Sequence, residues 1–151
     1  MVKHHNITIL TWFNFFTDFK LYAPVAIIYF SQVSGSFALG MTVFSITMIA
    51  AALFELPTGI ISDRLGRRRT VIIGAFFAVL SVIFYAIGQS FWFLAIGAVI
   101  EGLSYSFYSG NNDALLHDSL AEQGNEEEYS EFLGKVSSMF QIALGISAII
   151  G

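Results

Sequence analysis

The chain of 151 residues contains no cysteine, so disulfide bonds and thiolate metal sites are excluded. Charge is scarce as well: 12% of the residues are charged, whereas soluble domains carry about 25%. The seven Lys and Arg residues are outnumbered by eleven Asp and Glu residues and form no basic field that would bind nucleic acid. Apolar residues dominate instead, at 56% of the chain, with a mean hydropathy of +0.71. This composition predicts an integral membrane protein.

Five apolar stretches follow one another along the chain. They cover approximately residues 7–30, 39–61, 70–88, 91–111 and 133–151. A helix needs about 20 such residues to cross roughly 30 Å of hydrocarbon. The sequence therefore predicts an all-α membrane protein with about five transmembrane helices in one transmembrane domain. Because the fifth stretch is still apolar at Gly151, we expect the chain to be the front part of a longer protein.

The basic residues predict how the chain is oriented in the bilayer. If the spans alternate, Lys3, the arginine-rich turn and Lys135 lie on one side, whereas the loops at 31–40 and 89–90 contain neither Lys nor Arg. Short basic loops remain in the cytoplasm. We therefore expect a multi-pass protein of the cytoplasmic membrane, surrounded by lipid, with its N-terminus and the acidic loop 113–131 on the cytoplasmic side.

The turn between the second and third stretches reads GIISDRLGRRRT. Its spacing is Gly59, three residues, Asp63 and Arg64, one residue, Gly66, then Arg67 and Arg68. This pattern closely resembles the loop motif of the major facilitator superfamily, and it occupies the same place between spans two and three. The segments FELPTGIISD and FYSGNNDALLHDSL are also similar to those of bacterial members.

The resemblance implies that these are the first five of twelve helices, the incomplete N-terminal six-helix half of the fold. It also implies a secondary active transporter that carries a small solute by alternating access, without a cofactor or enzymatic activity. The missing C-terminal half of the same protein would be its structural partner. Proton coupling stays open, because many members carry an arginine at the position of Ala98 and drug–proton antiporters carry a Gly-Pro pair in span five, which ALGISAIIG lacks.

Two of the stretches carry a polar face. The polar side chains are Thr11, Asn14, Asp18 and Tyr22 in the first stretch, and Glu101, Tyr105, Tyr108 and Asn112 in the fourth. Each set has the spacing of one helical face, whereas the third stretch is apolar nearly all round. In the resembling family the first and fourth helices line the central cavity and the third faces lipid, so we interpret both polar faces as cavity lining.

Asp18 and Glu101 both lie near the middle of their spans, the depth at which such transporters bind substrate. An ionised carboxylate at the bilayer centre costs about 2.5–3.5 kcal/mol, so it is usually paired, protonated or in contact with water. Both residues are therefore candidates for binding substrate or a proton. The alternative is an internal salt bridge with Lys20, which in a continuous helix lies about 200° around the axis from Asp18.

A cytoplasmic gate is implied by the same resemblance. Glu55, Gly59 and Asp63 recur every four residues on one face of the second span. In the family the motif glycine faces the opposite half of the protein and permits close helix approach. The motif aspartate accepts hydrogen bonds from a facing helix N-terminus and acts as a latch. Glu55 either belongs to this latch or bonds to a neighbouring span.

Arg67 is expected to pair with an acid at the cytoplasmic end of span four. Asp118 is our first choice, and Asp113 is the alternative. A rival interpretation makes Asp113, His117 and Asp118 part of a metal site in a membrane-embedded enzyme. A single histidine provides few ligands for such a site. A second rival is a small self-associating channel, which we expect to end on a polar tail.

Overall fold

The computed structural model describes residues 5–109, 111–122 and 124–151, so Lys3 lies outside the described part. The α-helices there are α1 His5–Asp18, α2 Ala26–Ser34, α3 Phe37–Leu65, α4 Arg67–Ile87, α5 Phe91–Tyr108, α6 Asn111–Ala121 and α7 Tyr129–Ile150. Single 3₁₀ turns occupy Ala23–Val25 and Glu126–Glu128. No strand occurs within these described residues, and the prediction of an all-α chain is confirmed.

Four helical segments are long and apolar enough to cross a membrane, counted over the described residues. They are Phe37–Leu65, Arg67–Ile87, Phe91–Ala121 and Glu126–Ile150. The second to fifth predicted stretches each lie largely within one of these segments. Their exposed surface is rich in large apolar side chains, among them Leu53, Phe76 and Trp92, as contact with lipid requires.

The first stretch is not the single helix that the sequence predicts. α1 ends at Asp18 after 14 residues, which is about 21 Å at 1.5 Å per residue, and the α-helix resumes only at Ala26. Pro24 explains the gap, because proline donates no backbone hydrogen bond and its ring excludes the carbonyl four residues earlier, that of Lys20. Tyr22 therefore does not continue the helical face of Asp18, and the predicted 200° offset of Lys20 is wrong.

The boundaries of α3 follow from local chemistry. At its start the side chain of Ser36 accepts a hydrogen bond from the backbone N–H of Leu39 at 3.1 Å, a typical N-cap. At its end Gly66 has φ +84° and ψ +145°, a conformation that is essentially restricted to glycine. The second glycine of the motif is thus the residue that separates α3 from α4.

The chain divides into two compact units, and residues 25–111 form one of them. In this unit α5 packs against both α3 and α4. A Cβ atom on Gly102 would lie 2.6 Å from the Cβ atom of Ala50 in α3, and one on Gly74 would lie 2.9 Å from the Cβ atom of Phe107 in α5. Both helix crossings are therefore close enough to require glycine.

α4 has two contrasting faces within this unit. Its buried residues are mostly small or carry a hydroxyl group: Thr70, Val71, Gly74, Ser81 and Tyr85. Beyond its arginine-rich first turn, its exposed large side chains are apolar: Ile72, Phe76, Val79, Val82, Ile83 and Ile87. One face of the third predicted span is thus suited to lipid, and the other is committed to packing within the protein.

Residues 5–24 and 112–151 belong to the second unit. There α1 packs against α7 around a buried apolar cluster of Ile7, Leu10, Leu116, Leu120 and Val136. Because the cluster contains residues from α1, α6 and α7, the short helix α6 is attached to the apolar core of its own unit.

Candidate transport site and cytoplasmic motif

Glu101 lies in the middle of α5 and is half-buried. The hydroxyl group of Tyr85 in α4 donates a hydrogen bond to its Oε2 atom at 2.8 Å. The hydroxyl group of Tyr105, one turn further along α5, lies 3.4 Å from Oε1. Hydrogen-bond donors are what a carboxylate removed from water needs. The structure therefore surrounds the predicted mid-span acid with two tyrosine hydroxyl groups.

Tyr85 is held firmly in place. Its side chain is only 5% exposed, and its ring lies against Gly97, where a Cβ atom would be 2.8 Å from two ring carbons. The ring of Phe30 in α2 is 4.9 Å away, centroid to centroid. The neighbouring Tyr29 donates a hydrogen bond from its hydroxyl group to the backbone carbonyl of Tyr85 at 2.7 Å. Tyr85 of α4 thus contacts both α2 and α5.

Tyr85 was not among the predicted site residues, because the third span was interpreted as a lipid-facing helix. A signal was present: Tyr85 and Ser81 lie one turn apart, and they fall on the same helical face as Thr70 and Gly74. The two tyrosines predicted on α5 have different surroundings. Tyr105 contacts Glu101, whereas the ring of Tyr108 packs over Gly74 of α4.

In the other unit, the polar residues of the first stretch meet the end of the fourth. The side-chain amide of Asn112 donates a hydrogen bond to Oδ1 of Asn14 at 3.1 Å. Asn14 in turn donates to the backbone carbonyl of Leu10 at 2.9 Å. Asp18 is the last residue of α1 and is half-buried, and Lys20 is close enough to interact with it electrostatically. Asp18 and Glu101 belong to different units, so their common depth stays a prediction.

Glu55 bonds to the neighbouring span, one of the two roles considered for it. The hydroxyl group of Ser109, just after α5, donates a hydrogen bond to its Oε1 atom at 3.0 Å. One turn further along α3, the hydroxyl group of Thr58 lies 3.0 Å from the backbone carbonyl of Ser106. Side chains on one face of α3 are therefore hydrogen-bonded to the end of α5.

Ser62 continues this series and adjoins the motif aspartate. Its hydroxyl group donates to the side-chain oxygen of Asn111, whose amide nitrogen donates to the backbone carbonyl of Phe107 at 2.9 Å. Ser62 and Asn111 are both 4% exposed. Neither residue was predicted, because a serine or asparagine at a helix end carries no local signal of its partner.

The motif side chains lie at the surface of their unit. Asp63, Arg64 and Arg68 are exposed, and a Cβ atom on Gly59 would have no neighbour within 4 Å. Arg67 opens α4. Three consecutive arginines occupy the first turn of that helix, where the macrodipole disfavours positive charge. Local helix stability therefore does not account for them.

The proposed partners of Arg67 lie on α6. Asp118 and Asp113 are exposed there, but they belong to the other unit, so the pairing stays a prediction. The ring of His117 makes an edge contact with Tyr129 at 5.5 Å. Within the described ranges, no group of three His, Asp or Glu side chains lies close enough to hold a metal ion.

The chain is a multi-pass α-helical membrane protein by the length and composition of its helices. A mid-span carboxylate bonded by hydroxyl groups and a basic turn between two spans are typical of the transporter class. A sequence profile of the Major Facilitator Superfamily matches residues 7–151. The chain belongs to this superfamily, as the turn between α3 and α4 predicted.

Curated relatives agree with this assignment. The chain is similar to the inner membrane transport protein YajR of Escherichia coli K12, with 29% identity over 104 residues, 68% of this chain and 21% of that protein. It is 26% identical over 113 residues to the uncharacterized transporter BU466 of Buchnera aphidicola, across 75% of this chain and 27% of that protein.

A third relative is the uncharacterized MFS-type transporter YhjO of Bacillus subtilis. It is 23% identical over 129 residues, which is 85% of this chain and 31% of that protein. The matched region therefore spans between a fifth and a third of these relatives. No solved structure matches the chain significantly.

Proposed function

We propose that the chain is the N-terminal portion of a secondary active transporter that moves a small solute across the cytoplasmic membrane by alternating access. The observation that carries the proposal is Glu101, a mid-span carboxylate bonded by Tyr85 and Tyr105 in a chain of a transporter superfamily. The share of the relatives that is matched, 21–31%, supports a longer protein. The C-terminal half of that protein would supply the second bundle.

Glu101 would act as the exchangeable binding group. An ionised carboxylate within the hydrocarbon layer is stabilised only while donors or water contact it. A solute with an N–H or O–H group could replace one tyrosine hydroxyl, and a proton could neutralise the charge; the second case would make transport proton-coupled. Of the residues predicted to line the cavity, Tyr105 is proposed to complete this site with Glu101. Roles for Asn14, Asp18 and Tyr22, which belong to the other unit, and for Tyr108, whose ring packs over Gly74, stay predictions.

The motif would form the cytoplasmic gate. The open surface at Gly59 and the exposed Asp63 support a contact with the second bundle, in which the carboxylate caps a facing helix N-terminus. In the longer protein, Asp63→Asn should weaken the cytoplasm-closed state. A single cysteine placed on the cavity side of α5 should then react faster with a maleimide applied from the cytoplasm; equal rates would remove Asp63 from the gate.

The proposed orientation has the N-terminus in the cytoplasm. Because the chain has no cysteine, single cysteines report each loop without interference. A cysteine at Arg68 should react with an impermeant maleimide only from the cytoplasmic side, and a cysteine at Gln89 only from the opposite side. The reverse pattern would overturn the orientation while leaving the fold intact.

Transport itself is tested with the longer protein in proteoliposomes. The probes are a panel of radiolabelled amino acids, sugars and organic cations, offered with and without an imposed proton gradient. We expect saturable uptake of one class and a loss of at least about tenfold in Glu101→Gln, equivalent to 1.4 kcal/mol of transition-state stabilisation. Glu55→Gln is the matched control, because Glu55 lies outside the proposed binding site and bonds to Ser109 at the end of α5. Uptake that does not saturate would favour the channel interpretation.

A further inference from the structure

We propose that Tyr85 is a positioning residue that couples the state of the Glu101 carboxylate to the position of α2. The inference rests on the proposed role of Glu101 as the exchangeable binding group. It assigns to α4, the helix expected only to face lipid, a part in the response of the protein to substrate or proton.

Tyr85 is connected at both of its ends. Its hydroxyl group donates to Oε2 of Glu101 at 2.8 Å, and its backbone carbonyl accepts a hydrogen bond from the hydroxyl group of Tyr29 at 2.7 Å. That carbonyl lies in the last turn of α4, which ends at Ile87, where carbonyls lack a partner within the helix. The bond from Tyr29 therefore joins α2 to the last turn of α4.

The ring of Tyr85 has little freedom to absorb a change at Glu101 without moving its neighbours. It is 5% exposed, packs on the backbone of Gly97 and lies 4.9 Å from the ring of Phe30. If Glu101 takes up a proton, the hydrogen bond from the Tyr85 hydroxyl group loses its charge-assisted character and becomes longer and weaker. A shift of the ring is then transmitted to Phe30, since close-packed interiors carry displacement from one side chain to the next.

α2 is a short element that can respond. It has nine residues, between the 3₁₀ turn that contains Pro24 and a left-handed Gly35 with φ +82°. Few backbone hydrogen bonds join it to the rest of the first stretch, because the α-helix is interrupted between Asp18 and Ala26. α2 packs on α3, where a Cβ atom on Gly40 would lie 2.8 Å from the backbone nitrogen of Ser31, so the two flanking positions are where its backbone could bend.

Tyr105 is the internal control. Its hydroxyl group also approaches Glu101, at the longer distance of 3.4 Å, but it lies on α5, the same helix as the carboxylate. The bond between Tyr105 and Glu101 therefore lies within one helix, whereas the bond from Tyr85 joins two helices. The two tyrosines differ in the property that the inference requires, a bond that links Glu101 to another helix.

The experiment uses the cysteine-free chain in lipid vesicles, with a single cysteine introduced at the exposed Gln32 of α2. The labelling rate with a polar maleimide is measured with Glu101 intact and with Glu101→Gln. We expect the rates to differ by about fivefold, the lower end of typical coupling between sites. Tyr85→Phe should abolish the difference, and Tyr105→Phe should leave it unchanged. A cysteine at the exposed Ser130 should show no difference in any background.

Circular dichroism and the thermal midpoint of each variant show whether it folds. If Tyr85→Phe does not fold, Tyr29→Phe removes the other end of the link and should also abolish the difference. The inference would be overturned if the difference persisted in Tyr85→Phe or in Tyr29→Phe. It would also be overturned if the labelling rates at Gln32→Cys were equal with Glu101 and with Glu101→Gln and no other substitution. Uptake by the longer protein separates the two proposals. If uptake depends on Glu101 but the labelling rate at Gln32→Cys does not, the proposed transport site is retained and only the link through Tyr85 is rejected.

Discussion

Ser62 donates a hydrogen bond to the side-chain oxygen of Asn111, and both residues are buried. The bond joins the end of α3 to the first residue of α6. Ser62 lies one position before the motif aspartate, Asp63. Asn111 is further fixed by its own bond to the carbonyl of Phe107 at 2.9 Å. The position of the motif therefore depends on a buried polar pair as well as on apolar packing.

The first prediction concerns this pair. Ser62→Ala and Asn111→Ala should each lower the free energy of unfolding by about 1–3 kcal/mol, because each leaves a buried polar partner unsatisfied. The double variant should lose less than the sum, which unfolding in mixed detergent–SDS micelles can measure. Ser130→Ala, at an exposed position of α7, is the control and should change stability little. Additive losses would mean that the two side chains do not depend on each other.

The second prediction compares two glycines inside helices. A methyl group on Gly102 would meet the backbone carbonyl of Thr47 and would lie 2.6 Å from Cβ of Ala50, so Gly102→Ala should destabilise the chain by about 1–3 kcal/mol. A methyl group on Gly59 meets nothing within 4 Å. Gly59→Ala should stabilise this chain by about 0.5–1 kcal/mol through helix propensity.

The same pair of substitutions also tests the gate. In the longer protein Gly59→Ala should reduce transport, because the second bundle is proposed to approach that surface. Retained transport with a stabilised chain would show that the open surface at Gly59 faces lipid or water. Stability is compared in micelles and transport in proteoliposomes, so the two effects are measured separately.

Much of the fold could be predicted because its signals are local. Apolar runs predict the long helices. Gly66, the glycine of the motif turn, is where α3 ends, with φ +84°. The break in the first stretch was missed although Pro24 marks it. A proline inside a transmembrane helix is often tolerated, and only the structure shows that here the α-helix stops at Asp18.

The candidate site was only partly predictable, for a different reason. Glu101 is identifiable because a carboxylate within an apolar run is costly. Its partner Tyr85 depends on how α4 is rotated against α5, which is set by Gly74, Gly97 and the rings around them. A helical wheel gives relative angles within one helix but not the azimuth of its neighbour. Cross-helix partners such as Ser62 and Asn111 escape prediction on the same ground.

The third prediction concerns the backbone of the motif. Gly66 combines φ +84° with ψ +145°, so Gly66→Ala should destabilise the chain by about 1–3 kcal/mol through backbone strain alone, since its Cβ atom would meet no neighbour within 4 Å. Gly134→Ala in α7, equally open but without a positive φ, should be neutral or slightly stabilising. Equal effects of the two substitutions, measured as SDS unfolding midpoints, would contradict the assignment of strain to Gly66.

The last prediction concerns Arg67 and its acidic partner. Three arginines in the first turn of α4 oppose the helix macrodipole, each by about 0.3–1 kcal/mol, and a carboxylate that pairs with Arg67 would offset part of this cost. Because Arg67→Glu also relieves the unfavourable macrodipole interaction, the pairing is measured as a coupling energy: Arg67→Glu/Asp118→Arg should be more stable than the sum of the two single effects. Arg67→Glu/Asp113→Arg is the matched control, because Asp113 is exposed on the same helix. Recovery of stability with Asp113→Arg would assign the pairing to Asp113. Recovery with neither substitution would contradict a pairing of Arg67 with either acid.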